Sequence, residues 1–312
     1  CGIAMLVGIV VLAAGILIAG GGWENIMGTI RTNHPQMLEP LSGGTMPVSL
    51  YFTQWLLVGI FTFALPQSVV RCMGYKDTKS LRGAMIGGTI IIGAMMIGVT
   101  ALGVLSAGVL TGDLASYGGS VDNIIPRTIV ETLPPWLAGV AIVGPVAASI
   151  STVSSLLIAS SSAIIKDLWL HYADDRGQQV SDAVVARSSQ IITLGVGVIV
   201  FVLAVVPPSV IWKINMFAFG GLETAFCWVL VGALFFKRAN KVGAIASMVG
   251  GTAVYCLCMA LGFKLFGLHQ IVIGITVSLL CMAIGSWIGN RRANAADATA
   301  DAEMREVFFP EA

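Results

Sequence analysis

Long apolar stretches alternate with short polar ones along the whole chain. Eight can be marked, at 2–22, 48–70, 84–110, 136–164, 183–206, 209–236, 242–263 and 269–289. Each reaches the roughly 17–25 residues that a helix needs to cross a hydrocarbon core. They are too long and too evenly apolar for barrel strands, which run to about ten residues of alternating polarity. The pattern predicts eight transmembrane helices in an all-α polytopic membrane protein. Between them, 23–47 and 111–135 read as loops on one side, the second with a short helix near 124–132 ahead of Pro134-Pro135. On the other side the largest loop, about 165–182, carries Asp174-Asp175-Arg176. The Ala-rich end, 293–312, reads as a mobile tail.

Composition agrees with the pattern. Of 312 residues 56% are hydrophobic and 11% charged, where a soluble domain carries about 25% charged residues. Mean hydropathy is +0.90. A formal net charge of +1 offers no basic field to nucleic acid. The six cysteines form no CxxC pair and mostly lie inside apolar stretches, which suits small buried hydrophobes rather than a disulfide framework or a zinc site. His34, His171 and His269 are far apart, in loops or at stretch ends, which disfavours a metal cluster. If the first stretch runs outward from the cytoplasm, only Arg31, Arg127, Lys213 and Lys264 of the 17 basic residues lie outside. The positive-inside rule then places both ends of the chain in the cytoplasm. Cys1 meets a full apolar stretch with no initiator Met, basic n-region or cleavage site before it. It reads as the C-terminal part of a longer chain, not as a signal peptide.

Polar groups at mid-bilayer are costly, so each invites an explanation. Glu223, fourteen residues into 209–236, is the one ionisable side chain near the centre of a stretch, and it follows Phe217-Ala218-Phe219-Gly220-Gly221. Arg187 and Lys213 lie close enough to stretch ends to snorkel. Glu223 reads either as a substrate or proton contact or as a structural carboxyl bonded to a neighbouring helix. In 136–164, Ala148, Ser151, Thr152 and Ser155 are spaced to share one helix face. Pro145 leaves a carbonyl one turn earlier without its donor. Neutral oxygens gathered in this way suit a dehydrated monovalent cation, although spacing alone favours small-residue packing. In 48–70, Gly59 and Pro66 mark a place where the helix could break, and discontinuous helices belong to transporters. A Pro-kinked helix is the plainer alternative there.

Four segments together resemble the sodium:solute symporter family. They are Leu65-Pro66-Gln67-Ser68-Val69-Val70-Arg71-Cys72-Met73-Gly74-Tyr75-Lys76-Asp77, Ala147-Ala148-Ser149-Ile150-Ser151-Thr152 with Ser161-Ser162-Ala163-Ile164-Ile165-Lys166-Asp167-Leu168, 216–224 (Met-Phe-Ala-Phe-Gly-Gly-Leu-Glu-Thr), and Lys237-Arg238-Ala239-Asn240-Lys241-Val242-Gly243-Ala244. The Ala-Ala-x-x-Ser-Thr segment resembles the whole family. The Arg-Cys loop and the Phe-Gly-Gly-Leu-Glu segment are more similar to its pantothenate-carrying branch.

The resemblance implies a LeuT-type inverted-repeat fold with the first repeat largely missing. Residues 1–290 would form a partial transporter domain. Within it, 48–236 would be the second five-helix repeat and 242–289 accessory helices, with 291–312 a cytoplasmic tail. It further implies sodium held by the Ala148 carbonyl and the Ser151 and Thr152 hydroxyls, which turns the balance from packing to ion binding. Substrate contacts would come from Val58, Phe61, Thr62 and Pro66 on a broken helix, with Phe219 and Glu223 as further contacts. Proline-type members carry Trp and Tyr where this chain has Val58 and Thr62, which argues against proline as substrate. The implied activity is sodium-coupled uptake of pantothenate across the cytoplasmic membrane, with no cofactor and no enzyme chemistry. The alternative is a sodium- or proton-coupled symporter for another small carboxylate or amino acid. An intramembrane hydrolase would need a His or paired carboxylates at mid-span, and the eight stretches hold neither.

Overall fold

The computed structural model describes residues 2–292 apart from 73, 111, 113, 178, 179, 206 and 208. Cys1 and the tail at 293–312 lie outside the described residues. Among these there are helices and no strands, and they group into two compact units.

The first unit comprises Cys1–Glu39 and Asp77–Ile211. Its helices are α1 (Gly2–Ala19), α2 (Trp23–Asn33), α6 (Thr78–Ser106), α7 (Ile124–Thr132), α8 (Pro135–Ser162), α9 (His171–Asp175) and α10 (Asp182–Val205). Leu12 and Ile16 of α1, Ile26 and Ile30 of α2, Leu102 and Leu105 of α6, and Ile129 of α7 form one apolar core. α1 and α8 approach closely where Gly8 and Gly144 face each other. A Cβ on Gly144 would lie 3.2 Å from the Ala4 carbonyl oxygen, and one on Gly8 3.1 Å from that of Ala141. Close backbone contact through small residues is how helices associate in lipid, where no hydrophobic force drives them together. The start of α6 is fixed by Asp77, whose Oδ1 accepts the Ser80 N–H at 2.6 Å. That bond, with the Ser80 hydroxyl, holds the Asp77 carboxyl below the usual carboxylate range. Helix α10 has no buried residue and is apolar along its second half, from Ile191 to Val205.

The second unit comprises Pro40–Lys76 and the chain from Trp212 onward. It holds α3 (Leu41–Gly44), α4 (Val48–Gly59), α5 (Pro66–Cys72), α11 (Ile211–Phe235), α12 (Lys241–Ala260) and α13 (Gln270–Arg292). α12 and α13 form a tight hairpin along Gly243, Ser247, Gly251 and Tyr255, which are spaced four apart. A Cβ on Gly251 would lie 2.5 Å from that of Ser278, so only glycine lets the helices meet there. The Ser247 and Ser278 hydroxyls bond across the seam at 2.8 Å. Asn240 caps α12 by accepting the Gly243 N–H and ties it to α13 by donating to the Ser286 carbonyl.

Seven helices among the described residues are long and apolar enough to cross a membrane, where the apolar pattern predicted eight. The difference lies in 48–70. It is no single helix but α4, a 3-10 turn at Phe61–Ala64, and α5. The 23–47 segment, expected as loop, contains α2 and α3. Its Ile26 and Ile30 are one turn apart and fully buried, an amphipathic signal masked by the polar residues around them. The loop expected at 165–182 is mostly helical, because α8 runs on through a π-helical segment at Ala163–Leu170 into α9. The short helix expected near 124–132 is α7.

Candidate functional site

Two sets of candidate residues lie in different units. In the first unit, α8 carries Ala148, Ser151 and Thr152. Most hydroxyls of this helix are engaged with its own backbone: Ser149 donates to Pro145, Ser154 to Ile150 and Ser155 to Ser151, all at 2.7–3.0 Å. Ser151 donates to the Ala148 carbonyl at 2.9 Å. With its proton so placed, the Ser151 oxygen keeps its lone pairs for another partner. The Thr152 hydroxyl, like those of Ser160 and Ser162 nearer the end of the helix, has no hydrogen bond among the described residues. The three positions are spaced to share one helix face, with Ala148 and Ser151 half-buried and Thr152 exposed. Ala148 also borders an apolar cavity of about 260 Å³ lined by Gly8, Leu12, Gly144 and Pro145, among others.

In the second unit, the break after α4 gathers the other set. The last N–H of α4's run, that of Ile60, bonds to Leu56, after which the chain tightens into the 3-10 turn. Leu65 is extended, with φ −66° and ψ 125°, the conformation that a following proline imposes. Pro66 then occupies the first position of α5, where its missing N–H costs nothing. The Leu65 carbonyl accepts from Ser68 and Val69 at 2.8 and 3.1 Å, restarting the helix. Thr62 donates its hydroxyl to the Val58 carbonyl across the break. Val58, Phe61 and Phe219 pack against the same buried cluster, formed by Leu57, Ala64, Met216, Cys227, Tyr255, Ile271 and Ile275. The structure therefore brings the break of α4 and the Phe219 region of α11 to one apolar core.

Glu223 lies on the buried face of α11, with Met216, Gly220, Thr224 and Cys227. It is 0% exposed, and neither carboxyl oxygen has a hydrogen-bond partner. Three polar groups of the same unit are engaged with backbone carbonyls, whereas the buried Thr252 hydroxyl, like Glu223, has no partner. Tyr255 donates to the Met216 carbonyl at 2.8 Å, Thr224 to Gly220 at 2.9 Å, and Ser278 to the Thr224 carbonyl at 2.8 Å. Sequence reasoning missed this network and its anchor Tyr255, which is fully buried. A signal was present in Gly220 and Gly274, since a Cβ on either would strike the Tyr255 side chain. Among the described residues no group of His, Cys, Asp and Glu is placed to hold a metal.

Residues 1–251 match the profile of the sodium:solute symporter family. The chain belongs to that family. It is 36% identical to the sodium/pantothenate symporter of Escherichia coli over 96% of its own length and 61% of that protein. To the sodium/pantothenate symporter of Haemophilus influenzae it is 35% identical, covering 93% of this chain and 59% of the relative. The osmoregulated proline transporter OpuE of Bacillus subtilis matches at 26%, over 92% and 58%. The chain thus spans about three fifths of the length of these relatives.

Proposed function

We propose that this chain carries the second repeat of a sodium-coupled symporter that moves pantothenate inward across the cytoplasmic membrane. On this reading the fold is of the LeuT inverted-repeat type. α1 ends the first repeat, 48–236 is the second five-helix repeat, 242–289 are accessory helices, and both ends face the cytoplasm. The observation that carries the substrate assignment is the similarity to two proteins named for sodium and pantothenate, at higher identity than to a proline transporter. The broken helix supports the transporter reading from the structure, because half-helices with unwound backbone between them are where transporters hold their cargo.

Sodium would be held by the Ala148 carbonyl with the Ser151 and Thr152 hydroxyls. Pantothenate presents a carboxylate, an amide, two hydroxyls and a dimethyl group. Phe61 and Phe219 would cover the dimethyl face, Val58 and Pro66 would shape the pocket, and Thr62 and Glu223 would take polar atoms. Glu223 is buried in the described state, so its contact requires the buried face of α11 to open during the cycle. Sodium would favour the outward-open state and substrate would then close it. Binding and motion suffice, with no covalent step.

One observation favours a second reading, coupling to protons: the unpartnered carboxyl of Glu223. Uptake of labelled pantothenate by cells expressing the complete gene decides between them. Uptake should require sodium, collapse when choline replaces it at fixed pH, and yield to unlabelled pantothenate but not to proline. Undiminished uptake in choline would leave proton coupling as the reading; competition by proline would overturn the substrate assignment.

A further inference from the structure

Helix α4 is short, and only two of its residues are buried, Thr53 and Leu57. They lie one turn apart on one stripe. Leu57 packs in the apolar cluster with Ile271 and Ile275 of α13. Thr53 makes the polar counterpart of that contact. Its hydroxyl donates to the Ser49 carbonyl at 2.7 Å and accepts the His269 N–H at 2.8 Å. His269 is buried immediately ahead of α13, and its Nδ1 accepts the Ile271 N–H at 3.2 Å, capping that helix. A turn earlier on α4, Ser49 donates to the Gly267 carbonyl at 3.3 Å. The loop so gripped is conformationally costly. Phe266 has φ 52° and Gly267 φ 71°, consecutive left-handed residues of which one carries a side chain.

We propose that Thr53 is a positioning residue: with Ser49 it clasps the 266–269 loop and thereby fixes the rotation of α4 ahead of its break. The physical reason is register. Rotating α4 by one residue turns its side chains by about 100°, which would strand the buried His269 N–H and swing Val58 and Phe61 off their cluster. An apolar contact such as Leu57 tolerates small rotations, because it is non-directional; a hydrogen bond to a buried amide does not. The half of the helix before the break is thus tied to α13, and bending is left to the 3-10 turn and α5. The functional consequence rests on the reading that Val58, Phe61 and Thr62 meet the substrate.

Thr53→Val keeps the shape and removes the hydroxyl, and Thr53→Ser restores it. In the transporter expressed from its complete gene, Thr53→Val should raise the half-saturating pantothenate concentration several-fold. The half-saturating sodium concentration should stay unchanged, and Thr53→Ser should return close to the parent. A purely structural role would lower the amount of protein and leave both constants alone. Hydrogen exchange of the 266–271 amides reads the clasp without substrate. It should be slow in the parent and in Thr53→Ser, and fast in Thr53→Val. Equal exchange in parent and Thr53→Val overturns the clasp. Fast exchange in Thr53→Val with an unchanged pantothenate constant overturns positioning. Absence of sodium-driven uptake in the parent instead sinks the functional reading and leaves the exchange result standing. If Thr53→Val does not accumulate, Ser49→Ala provides the same two measurements with a smaller expected change.

Discussion

Two spans of this chain contain a proline away from their ends, and only one of them breaks. Pro66 separates α4 from α5, while Pro145 lies inside α8, which stays helical from Pro135 to Ser162. The proline ring alone therefore does not decide the outcome. What differs is the company each proline keeps. Gly144, just before Pro145, is pressed against the α1 backbone at Ala4 and Met5, and this contact clamps the helix in place. Around Gly59 a Cβ would meet nothing within 4 Å. The 3-10 turn packs on a cluster of its own instead, with Ala64 and Leu65 buried, and there Leu65 takes the extended conformation that proline asks of the residue before it. The same element of sequence gives a continuous, ion-binding candidate helix in one unit and a broken, substrate-binding candidate helix in the other.

The harshest way to break this comparison is to spoil the clamp. Gly144→Leu forces a side chain against the carbonyl of Ala4, and backbone cannot step aside as a flexible side chain can. Overpacking of this kind costs about 1–3 kcal/mol and occasionally more, and the upper end is expected here. Detergent-solubilised protein should lose its monodisperse peak and melt earlier. A variant as stable as its parent would mean that Gly8 and Gly144 do not clamp α8.

Next in size are the hydroxyls of α8. Removing one that faces a desolvated cation should cost about 1.5–3 kcal/mol, by analogy with hydrogen bonds to charged groups. That corresponds to roughly a tenfold or greater rise in the sodium needed for half-maximal uptake. Thr152→Ala should show the larger change, because its hydroxyl has no other work; Ser151→Ala should follow. Ser154→Ala is the control, since Ser154 lies off the face that Ala148, Thr152 and Ser155 share. The same sodium dependence in all three would return these residues to packing.

Much of this was legible from the chain alone, and the failures have a common cause. Hydropathy locates seven continuous helices because burial in lipid reads average apolarity, which a linear scan measures well. It counted 48–70 as one span because Gly59 and Pro66 barely change the average, although those two residues did mark the place where the structure breaks it. Glu223 stood out as a buried charge, but its lack of any partner is a fact of three dimensions. Thr53 and His269 gave no signal, being 216 residues apart and ordinary in type. Ser151 and Thr152 were legible as a pair by spacing, whereas which of the two hydroxyls is free was not.

Glu223 sharpens the comparison from the side of the broken helix. If its carboxyl takes a substrate atom, Glu223→Gln should raise the half-saturating pantothenate concentration a few-fold and leave the sodium response intact. If it is structural, the variant should lose folded protein instead. Normal yield with unchanged kinetics would remove Glu223 from both roles.

A smaller effect is expected at His269, one residue ahead of the last spanning helix. Burial, with Lys264 nearby, pushes its imidazole from 6.5 down to about 4. The folded protein keeps it neutral while the unfolded chain protonates near pH 6.5. Its contribution to stability is therefore complete above about pH 6.5 and is lost as pH falls from there towards 4. Protonation also fills the Nδ1 lone pair that caps α13. His269→Asn keeps a capping oxygen that does not titrate. Its melting temperature should fall by a few degrees less than the parent's between pH 7 and pH 5. Parallel curves would exclude the histidine from the acid response.

The mildest test returns to the break itself. Gly59→Ala adds a methyl where nothing stands in its way, in the last residue of α4, where φ is not in the left-handed region. Alanine favours helix over glycine by about 1 kcal/mol, so the variant should be as stable as the parent or slightly more so. If the break is a hinge that opens and closes during transport, the same methyl should stiffen it. Maximal uptake per transporter would then fall about two- to fivefold, within the roughly fivefold that 1 kcal/mol allows at most, with pantothenate affinity little changed. Should Gly59→Ala instead lower stability while leaving the rate alone, the glycine serves packing and is not what lets the helix move at the break. Paired with Gly144→Leu, the substitution asks one question of both helices: whether the space at one glycine, closed at Gly144 and open at Gly59, sets the course of the chain.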